Sequence, residues 1–357
     1  MINQIIFGDC RATMRNMINN GVSVQTCVTS PPYFGLRDYG VEGQIGLESS
    51  VDEYVQNLVE VFRLVRDLLA DDGTLWLNLG DTYSSRPNGP HGVPKTGSIA
   101  PHVSSRTANA RRSSQVPDGL KHKDLIGIPW RVAFALQADG WYLRQDIVWA
   151  KTNPMPESVT DRCTKSHEYI FLLSKSPKYY FDNQSIKEPA AAATIARMSQ
   201  DIDNQIDSAR VPGKTNGNMK AVMPRASRDN FRRKNGGKGS VVHPNARVGT
   251  HRAERADSQY DLTKRNKRSV WTVSTRPYKG AHFATFPPAL IEPCILAGSR
   301  SNDIVFDPFI GSGTTAEVAI KHDRAYLGCE LNESYAPLQK ERITAALCSL
   351  DALGGAA

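Results

Sequence analysis

Short apolar runs alternate along the chain with longer amphipathic segments. Val24–Ser30 (VQTCVTS) and Thr74–Leu79 (TLWLNL) are rich in β-formers and almost continuously apolar, as strands buried on both faces are. Other runs of similar character lie in the first half of the chain and near its end. The predicted strands are Gln4–Cys10, Val24–Ser30, Gly73–Gly80, Trp141–Lys151, Glu168–Lys175, Asn302–Asp307 and Ala325–Glu330.

Helical patterns lie between these strands. Ser50-Val-Asp-Glu53 is a capping box, whose side chains satisfy free backbone N–H groups at the start of a helix. Apolar residues then recur at helical spacing from Tyr54 to Leu69, and Gly73 is the predicted stop. The alternation predicts an α/β fold with a mostly parallel sheet flanked by helices. Further helices are predicted over Ile128–Asp139, Pro287–Ala297, Thr314–Lys321 and Ser334–Cys348.

Charge is distributed unevenly over the 357 residues, whose formal net charge is +8. Thr82–Lys123 carries 7 basic residues against 1 acidic residue, and Lys187–Arg268 carries 18 against 8. The remainder of the chain is therefore acidic. Both segments are rich in Gly, Pro, Ser and Asn, which is typical of solvated loops, but basic segments also bind the phosphates of nucleic acids. Charge alone does not decide between these interpretations.

The composition excludes several classes of protein. With 40% hydrophobic and 22% charged residues, the chain resembles an ordinary globular protein. No apolar run approaches the ~20 residues of a membrane helix, so no membrane association is expected, and the first residues lack the pattern of a secretory signal. The six cysteines form no C-x-x-C pair. We therefore expect no metal site, no disulfides, and reduced thiols in a cytoplasm.

A glycine-rich turn follows the predicted strand that ends at Asp307. Gly311-Ser-Gly313-Thr-Thr-Ala316 leads into a helix, and Glu330 ends the next strand. In nucleotide-binding βαβ units such glycines allow close approach of the backbone, and the acid accepts hydrogen bonds from ribose hydroxyls. The alternative is a structural turn. Only 41 residues follow Ala316, so the other strands must come from the N-terminal half, and this permuted order disfavours an NAD enzyme.

Thr29-Ser-Pro-Pro-Tyr33 directly follows a predicted buried strand. The prolines end the strand because they cannot donate to a ladder. One interpretation is a strand-ending turn with an incidental tyrosine. The other is a site for a planar amino group, in which the Ser30 hydroxyl and the Pro31 carbonyl accept its hydrogens and Tyr33 stacks on a base that has left the duplex. The rigid proline pair would hold these groups in place at every turnover.

Together these segments resemble the amino-group DNA methyltransferases of the β arrangement, in which the catalytic motif precedes the cofactor motif. Ser30–Tyr33 is similar to the family's catalytic motif, and Asp307–Thr315 to its loop for S-adenosyl-L-methionine (AdoMet). Gly328–Glu330 resembles the ribose-binding strand end. His282–Pro287 is similar to the segment over the methionine end of AdoMet, and Gly8–Cys10 to the strand whose acid reaches the adenine ring.

This resemblance covers residues 4–176 and 281–348. It implies a Rossmann-like AdoMet-dependent methyltransferase fold, with circularly permuted motifs and a sheet of the seven-stranded type. The catalytic residues that it implies are Ser30, Pro31, Pro32 and Tyr33. The cofactor-binding residues that it implies are Asp9, Cys10, His282, Thr285, Phe286, Pro287, Asp307, Pro308, Phe309, Gly311, Ser312, Gly313, Thr314, Thr315 and Glu330.

The resemblance also divides the chain into three segments. Residues 1–155 form the catalytic half of the methyltransferase domain, with a basic loop at 82–123, and residues 278–357 form the AdoMet-binding half. Residues 156–277 complete the catalytic half to about residue 185 and then form a basic target-recognition region. The residues expected to contact DNA are Arg111, Arg112, Arg232, Arg233, Lys234, Lys264, Arg265, Lys267 and Arg268.

The implied reaction is direct transfer of a methyl group from AdoMet to the exocyclic amino group of a flipped base. Ser30 favours cytosine N4 over adenine N6, because SPPY is commoner among the family's cytosine-N4 enzymes and DPPY among its adenine-N6 enzymes. An RNA or protein amide methyltransferase and an inactive DNA-binding remnant are further alternatives. The glycine loop after SPPY argues against the first of these, and the intact motifs argue against the second.

Double-stranded DNA is the expected partner. The sequence leaves open a homodimer and a cognate restriction endonuclease, and the expected location is the cytoplasm of a bacterium, at the nucleoid, with the gene bacterial or phage-encoded. Trp76 and Trp149 are assigned to the core. Asp81 either lies at the edge of the cofactor or simply ends its strand. The basic loop at 82–123 either tracks DNA or is an ordinary solvated loop.

Overall fold

The computed structural model describes residues 2–36, 40–84, 119–198, 263–275 and 286–354. The strands are β1 (Gln4–Phe7), β2 (Val24–Thr29), β3 (Leu69–Leu79), β4 (Tyr142–Ala150), β5 (His167–Ser174), β6 (Glu188–Pro189), β7 (Lys264–Arg265), β8 (Val270–Thr272), β9 (Ile304–Asp307) and β10 (Ala325–Glu330). The helices are α1 (Cys10–Asn19), α2 (Val51–Leu68), α3 (Ile128–Ala138), α4 (Ala192–Met198), α5 (Pro288–Gly298), α6 (Thr314–Lys321) and α7 (Ala336–Gly354).

Contacts within the chain define two units, one of Met1–Ile186 with Arg268–Ala357 and one of Lys187–Lys267. The first contains an eight-stranded sheet in the order β1-β10-β9-β2-β3-β5-β4-β8. The five strands β1, β10, β9, β2 and β3 are parallel to one another, whereas β5 runs antiparallel to both β3 and β4. The predicted α/β fold with a mostly parallel sheet is confirmed. Strand β8 pairs with β4 and extends the sheet beyond seven strands.

Helices cover both faces of this sheet. The apolar side chains of α1, α2 and α3 pack on one face, and those of α5, α6 and α7 pack on the other. Successive strand residues point to opposite faces, so Leu75 and Leu77 join the first core and Trp76 joins the second. Trp76 and Trp149 are 1% and 4% exposed, which confirms their assignment to the core. With both faces covered, a ligand reaches the strands at the ends of the sheet.

The boundary between β1 and α1 differs from the prediction. The strand predicted over Gln4–Cys10 ends before Gly8, and Cys10 instead begins a helix that the sequence analysis missed. Gly8 has a φ of 126°, which turns the chain out of the strand. The Asp9 carboxylate then accepts a hydrogen bond of 2.7 Å from the backbone N–H of Arg11 and caps the new helix.

The boundary between α2 and β3 also differs from the prediction. The helix passes directly into β3 at Leu69, so the prediction that Gly73 stops the helix was wrong. Val24 pairs with Leu69 and Thr26 with Thr74, so the first part of β3 pairs irregularly with β2. A Cβ atom on Gly73 would lie 2.9 Å from the carbonyl oxygen of Ala70. Glycine at this position therefore allows a close approach of the backbone.

None of the described helices is long and apolar enough to cross a membrane.

Candidate active site

A cavity opens at the edge of the sheet where the parallel strands β1, β2, β9 and β10 have their carboxyl ends. Strands β2 and β9 are hydrogen-bonded neighbours, so the segment Ser30–Tyr33 after β2 lies beside the glycine loop after β9. Both segments line the cavity. The prediction that the two ends of the chain come together at one edge of the sheet is thus confirmed. Open α/β sheets bind ligands at such an edge, outside the carboxyl ends of the strands.

Most of the predicted site residues in the described part of the chain line this cavity. They are Asp9, Cys10, Ser30, Pro31, Pro32, Tyr33, Phe286, Pro308, Phe309, Gly311, Ser312, Thr314 and Glu330. The described site residues that are not part of its lining are Pro287, Asp307, Gly313 and Thr315. Two predicted cofactor residues lie outside the described residues, namely His282 and Thr285.

Asp307 joins the two segments that line the cavity. One carboxylate oxygen accepts hydrogen bonds from Thr29 Oγ1 at 2.6 Å and from the backbone N–H of Phe309 at 3.0 Å. The other oxygen accepts a hydrogen bond from Thr315 Oγ1 at 2.7 Å. The Asp307 side chain is almost completely buried, and burial raises its pKa to about 6 although these hydrogen bonds oppose the rise. The carboxyl group therefore ties the end of β2 to the start of α6.

The glycine loop is held against Glu330 at the end of β10. The backbone N–H of Gly311 donates to one carboxylate oxygen of Glu330 at 2.8 Å, and the N–H of Asn332 donates to the other at 2.8 Å. Gly311 and Gly313 have φ values of 53° and 86°, in the left-handed region that favours glycine. Burial raises the pKa of the Glu330 carboxyl. The loop and the acid thus form one preorganised wall.

Asp9 and Cys10 line the cavity at the start of α1. The Asp9 carboxylate accepts two hydrogen bonds from the guanidinium of Arg11 through Oδ2, at 3.2 and 2.7 Å. Hydrogen bonding to Arg11 holds the pKa of the Asp9 carboxyl below its usual value. Burial raises the pKa of the Cys10 thiol to about 12, so this thiol stays protonated at neutral pH and is not a nucleophile.

The serine–proline–tyrosine corner, residues Ser30–Tyr33, is held in place by contacts with Tyr54 and Gly80. The hydroxyl of Tyr54 donates a hydrogen bond of 2.8 Å to the carbonyl of Pro32. The ring of Tyr33 packs on Gly80, where a Cβ atom would lie 2.5 Å from Tyr33 Cε2. Any larger residue at position 80 would therefore displace the ring. Burial raises the pKa of the Tyr33 hydroxyl well above its ordinary value, and the nearby charge of Glu168 adds to this shift.

Three polar residues around Tyr33 were not among the predicted site residues. Glu168 accepts a hydrogen bond of 2.8 Å from the Tyr33 hydroxyl, and it forms an ion pair with Lys151. Asn78 donates to Glu168 Oε2 at 3.3 Å. These residues lie on β3, directly after β4 and on β5, far in sequence from Ser30–Tyr33. The polar character of Asn78 inside an apolar strand was the one signal that could have indicated them.

Asp81 is a helix cap. Its Oδ1 atom accepts hydrogen bonds from the backbone N–H groups of Gly127 at 3.0 Å and Ile128 at 3.1 Å. These are free donors at the start of α3, so the carboxylate satisfies them. Asp81 is not part of the lining of the cavity described above. Of its two predicted roles, the structure supports that of a strand-ending acid.

Four of the residues expected to contact DNA are described. Lys264, Arg265 and Lys267 belong to the Lys187–Lys267 unit, in which Glu188 lies 3.4 Å from Arg265 and 3.6 Å from Lys267. These two basic side chains thus form ion pairs with an acidic residue, which the sequence did not indicate. Arg268 is exposed. Those that lie outside the described residues are Arg111, Arg112, Arg232, Arg233 and Lys234.

The substitution Asp307→Asn tests the buried carboxyl. Because the pKa of Asp307 is raised from 3.8 to about 6, its contribution to stability is present below pH ~4 and is lost as the pH rises through ~6. Relative to the variant, the wild-type protein should lose roughly 2–3 kcal/mol of unfolding free energy between pH 4 and pH 8. Denaturant unfolding across this range measures the difference. Parallel pH profiles, or a wild-type gain at high pH, would contradict this account of Asp307.

Comparisons with known proteins identify the family of the chain. A family model described as DNA methylase matches residues 24–341. The Type II methyltransferase M.SmaI of Serratia marcescens is 43% identical over 340 residues, which cover 95% of this chain and 90% of that protein. The Type II methyltransferase M.Cfr9I of Citrobacter freundii is 41% identical over 336 residues, which cover 94% of this chain and 86% of that protein.

Solved structures agree on the fold. PvuII DNA methyltransferase (cytosine-N4-specific) matches with a TM-score of 0.54 at 15% identity, over 96% of this chain and 86% of that one. M1.HpyAVI in complex with SAM matches with a TM-score of 0.50 at 15% identity, over 95% and 98% of the two chains. The family match spans most of the chain, and it includes both Ser30–Tyr33 and the glycine loop, which line one cavity. The chain therefore belongs to the N6/N4 family of DNA methylases and is an AdoMet-dependent DNA amino-methyltransferase.

Proposed function

We propose that this enzyme methylates one base within a specific DNA sequence, and that the acceptor is cytosine N4, with adenine N6 as the alternative. The observation that carries the proposal is that Ser30–Tyr33 and the glycine loop line one cavity. Serine at the first position of the catalytic motif favours cytosine, and the cytosine-N4-specific PvuII enzyme shares the fold. Catalysis then consists of holding the base and the methyl donor in line.

The residues of the C-terminal half fit AdoMet. Ser312 Oγ is buried without a hydrogen-bond partner among the described residues, so a polar atom of a ligand would satisfy it. Each carboxylate oxygen of Glu330 accepts one backbone hydrogen bond, which leaves lone pairs for ribose hydroxyls. Phe286 and Phe309 offer apolar surface in the same cavity. When bound, AdoMet supplies an electrophilic methyl group on a sulfonium.

The serine–proline–tyrosine corner has the chemistry to bind an amino group. The lone pair of an exocyclic amine is delocalised into its ring, and hydrogen-bond acceptors aimed at its hydrogens favour the pyramidal form that can attack a methyl group. We assign this role to Ser30 Oγ and the carbonyl of Pro31. Serine is too weak a base to deprotonate the amine beforehand, so the proton leaves after transfer, to water.

We propose that the basic segments bind the DNA. The segments Thr82–Lys123 and Lys187–Arg268 carry most of the positive charge, and phosphate contacts by such residues weaken as salt increases. The second segment is the proposed target-recognition region. A cognate restriction endonuclease and a second copy of the chain, as a homodimer, are proposed as protein partners. We propose that it acts in the cytoplasm, on the DNA of the nucleoid.

Expression in a host without DNA methylation, followed by sequencing of its genome, identifies both the base and its context. We expect N4-methylcytosine at one recurring sequence and no methylation elsewhere. N6-methyladenine at one recurring sequence would contradict the assignment of cytosine. A folded protein that binds AdoMet but leaves this DNA unmethylated would contradict the proposed function.

The substitution Ser30→Ala removes one proposed acceptor for the amino group. We expect kcat to fall on the order of 100-fold, because oriented hydrogen-bonding groups contribute this much to transition states, while the affinity for AdoMet stays within about twofold. The matched control is Ser23→Ala. Ser23 is an exposed serine directly before β2, and this variant should retain full activity. Transfer of labelled methyl groups to DNA measures the rate of methylation in both variants, and titration with AdoMet measures its affinity. Wild-type kcat in Ser30→Ala would remove serine from the mechanism.

A further inference from the structure

A chain of polar contacts runs from Ser30 to an ion pair on the antiparallel part of the sheet. Ser30 Oγ lies 3.4 Å from the Tyr33 hydroxyl, which lies 2.8 Å from Glu168 Oε2. Glu168 forms an ion pair with Lys151, and the two side chains are only 15% and 20% exposed. The ion pair does not line the cavity. Its connection to the cavity therefore runs through the Tyr33 hydroxyl.

The direction of each hydrogen bond in this chain follows from the groups involved. The carboxylate of Glu168, paired with an ammonium, can only accept. The second neighbour of the Tyr33 hydroxyl is Asn78 Oδ1 at 3.3 Å, which is also an acceptor. The Asn78 amide orientation is fixed, because its Nδ2 donates to the carbonyl of Tyr169 at 3.0 Å and to Glu168. The Tyr33 hydrogen must therefore point away from Ser30.

This direction decides what Ser30 presents to the cavity. Because the Tyr33 hydrogen is used on Glu168, the Tyr33 oxygen can accept the hydrogen of Ser30. The lone pairs of Ser30 Oγ then remain available to an amino hydrogen. Without the Tyr33 oxygen, the serine hydroxyl would be free to rotate and to present its own hydrogen to a group that is itself a donor. The Ser30–Tyr33 distance is long, and such bonds tighten when substrate binds.

The position of the tyrosine is set independently of the substrate. Its ring packs on Gly80, which has no room for a Cβ atom. Burial keeps the hydroxyl protonated, since it raises the pKa of Tyr33 well above the ordinary value. The hydroxyl is thus a permanent donor to Glu168 at neutral pH. Because the Tyr33 hydroxyl donates to Glu168, its oxygen is oriented to accept the hydrogen of Ser30.

We propose that Glu168 is a positioning residue for methyl transfer. It acts through the Tyr33 hydroxyl and keeps Ser30 oriented as an acceptor for the amino group of the target base. This inference rests on the proposed function of Ser30 and adds two steps to it: the tyrosine contributes its hydroxyl, and a carboxylate 135 residues further along the chain fixes the direction of that hydroxyl.

The test is a double-mutant cycle of Tyr33→Phe and Glu168→Gln, with DNA from a methylation-free host as substrate. We expect each single variant to lower kcat about tenfold, the size of one oriented hydrogen bond, with the KM values for AdoMet and DNA unchanged. The double variant should be no slower than Tyr33→Phe, because both changes break the same chain. Losses that multiply, or a wild-type kcat in either single variant, would overturn the proposal.

Three controls keep the outcome specific. Tyr169→Phe removes a hydroxyl from the neighbouring residue on β5 and should retain wild-type kcat. Thermal unfolding and AdoMet titration show whether each variant is folded. Adding Tyr33→Phe to Ser30→Ala should cause no further loss. If Ser30→Ala is fully active, the proposed function fails; if it is impaired while the Tyr33 and Glu168 variants are not, only the positioning role fails.

Discussion

The site depends on one buried carboxylate between two central strands. Asp307 ends β9 and receives hydrogen bonds from Thr29 at the end of β2 and from Thr315 on α6. Thr29 and Asp307 are 278 residues apart in sequence. A buried carboxylate is costly unless its oxygens are hydrogen-bonded, and both threonine hydroxyls supply such hydrogen bonds to Asp307. The same contacts hold the segment Ser30–Tyr33 next to the glycine loop after β9.

The polar groups around the cavity are preorganised by the protein itself. Asp9 is held by Arg11, Glu330 by two backbone N–H groups, and Tyr33 by Glu168. Fixed groups of this kind need little reorganisation when charge develops in a transition state. These groups lie at or next to the ends of strands, where the rigid sheet supports them.

Local signals were sufficient to predict much of this arrangement. The continuous apolar strands, the capping box before α2 and the glycine turn after Asp307 each encode their structure within a few residues, so the α/β fold and the meeting of the two motifs followed. The family resemblance supplied the cofactor. The features that the sequence analysis missed depend on tertiary contacts between residues far apart in sequence. The irregular start of β3 depends on pairing with β2. Glu168 is a charged residue at the start of β5, and only its contact with the Tyr33 hydroxyl indicates a role.

The central claim is that both ends of the chain form one AdoMet-binding cavity. Hydrogen exchange of the full-length protein, with and without saturating AdoMet, tests it directly. The account predicts that AdoMet slows exchange in peptides that cover the end of β2 with Ser30–Tyr33 and also in peptides that cover Asp307–Thr315. Peptides within α3, away from the cavity, should not change. Protection confined to the C-terminal segment would contradict the account.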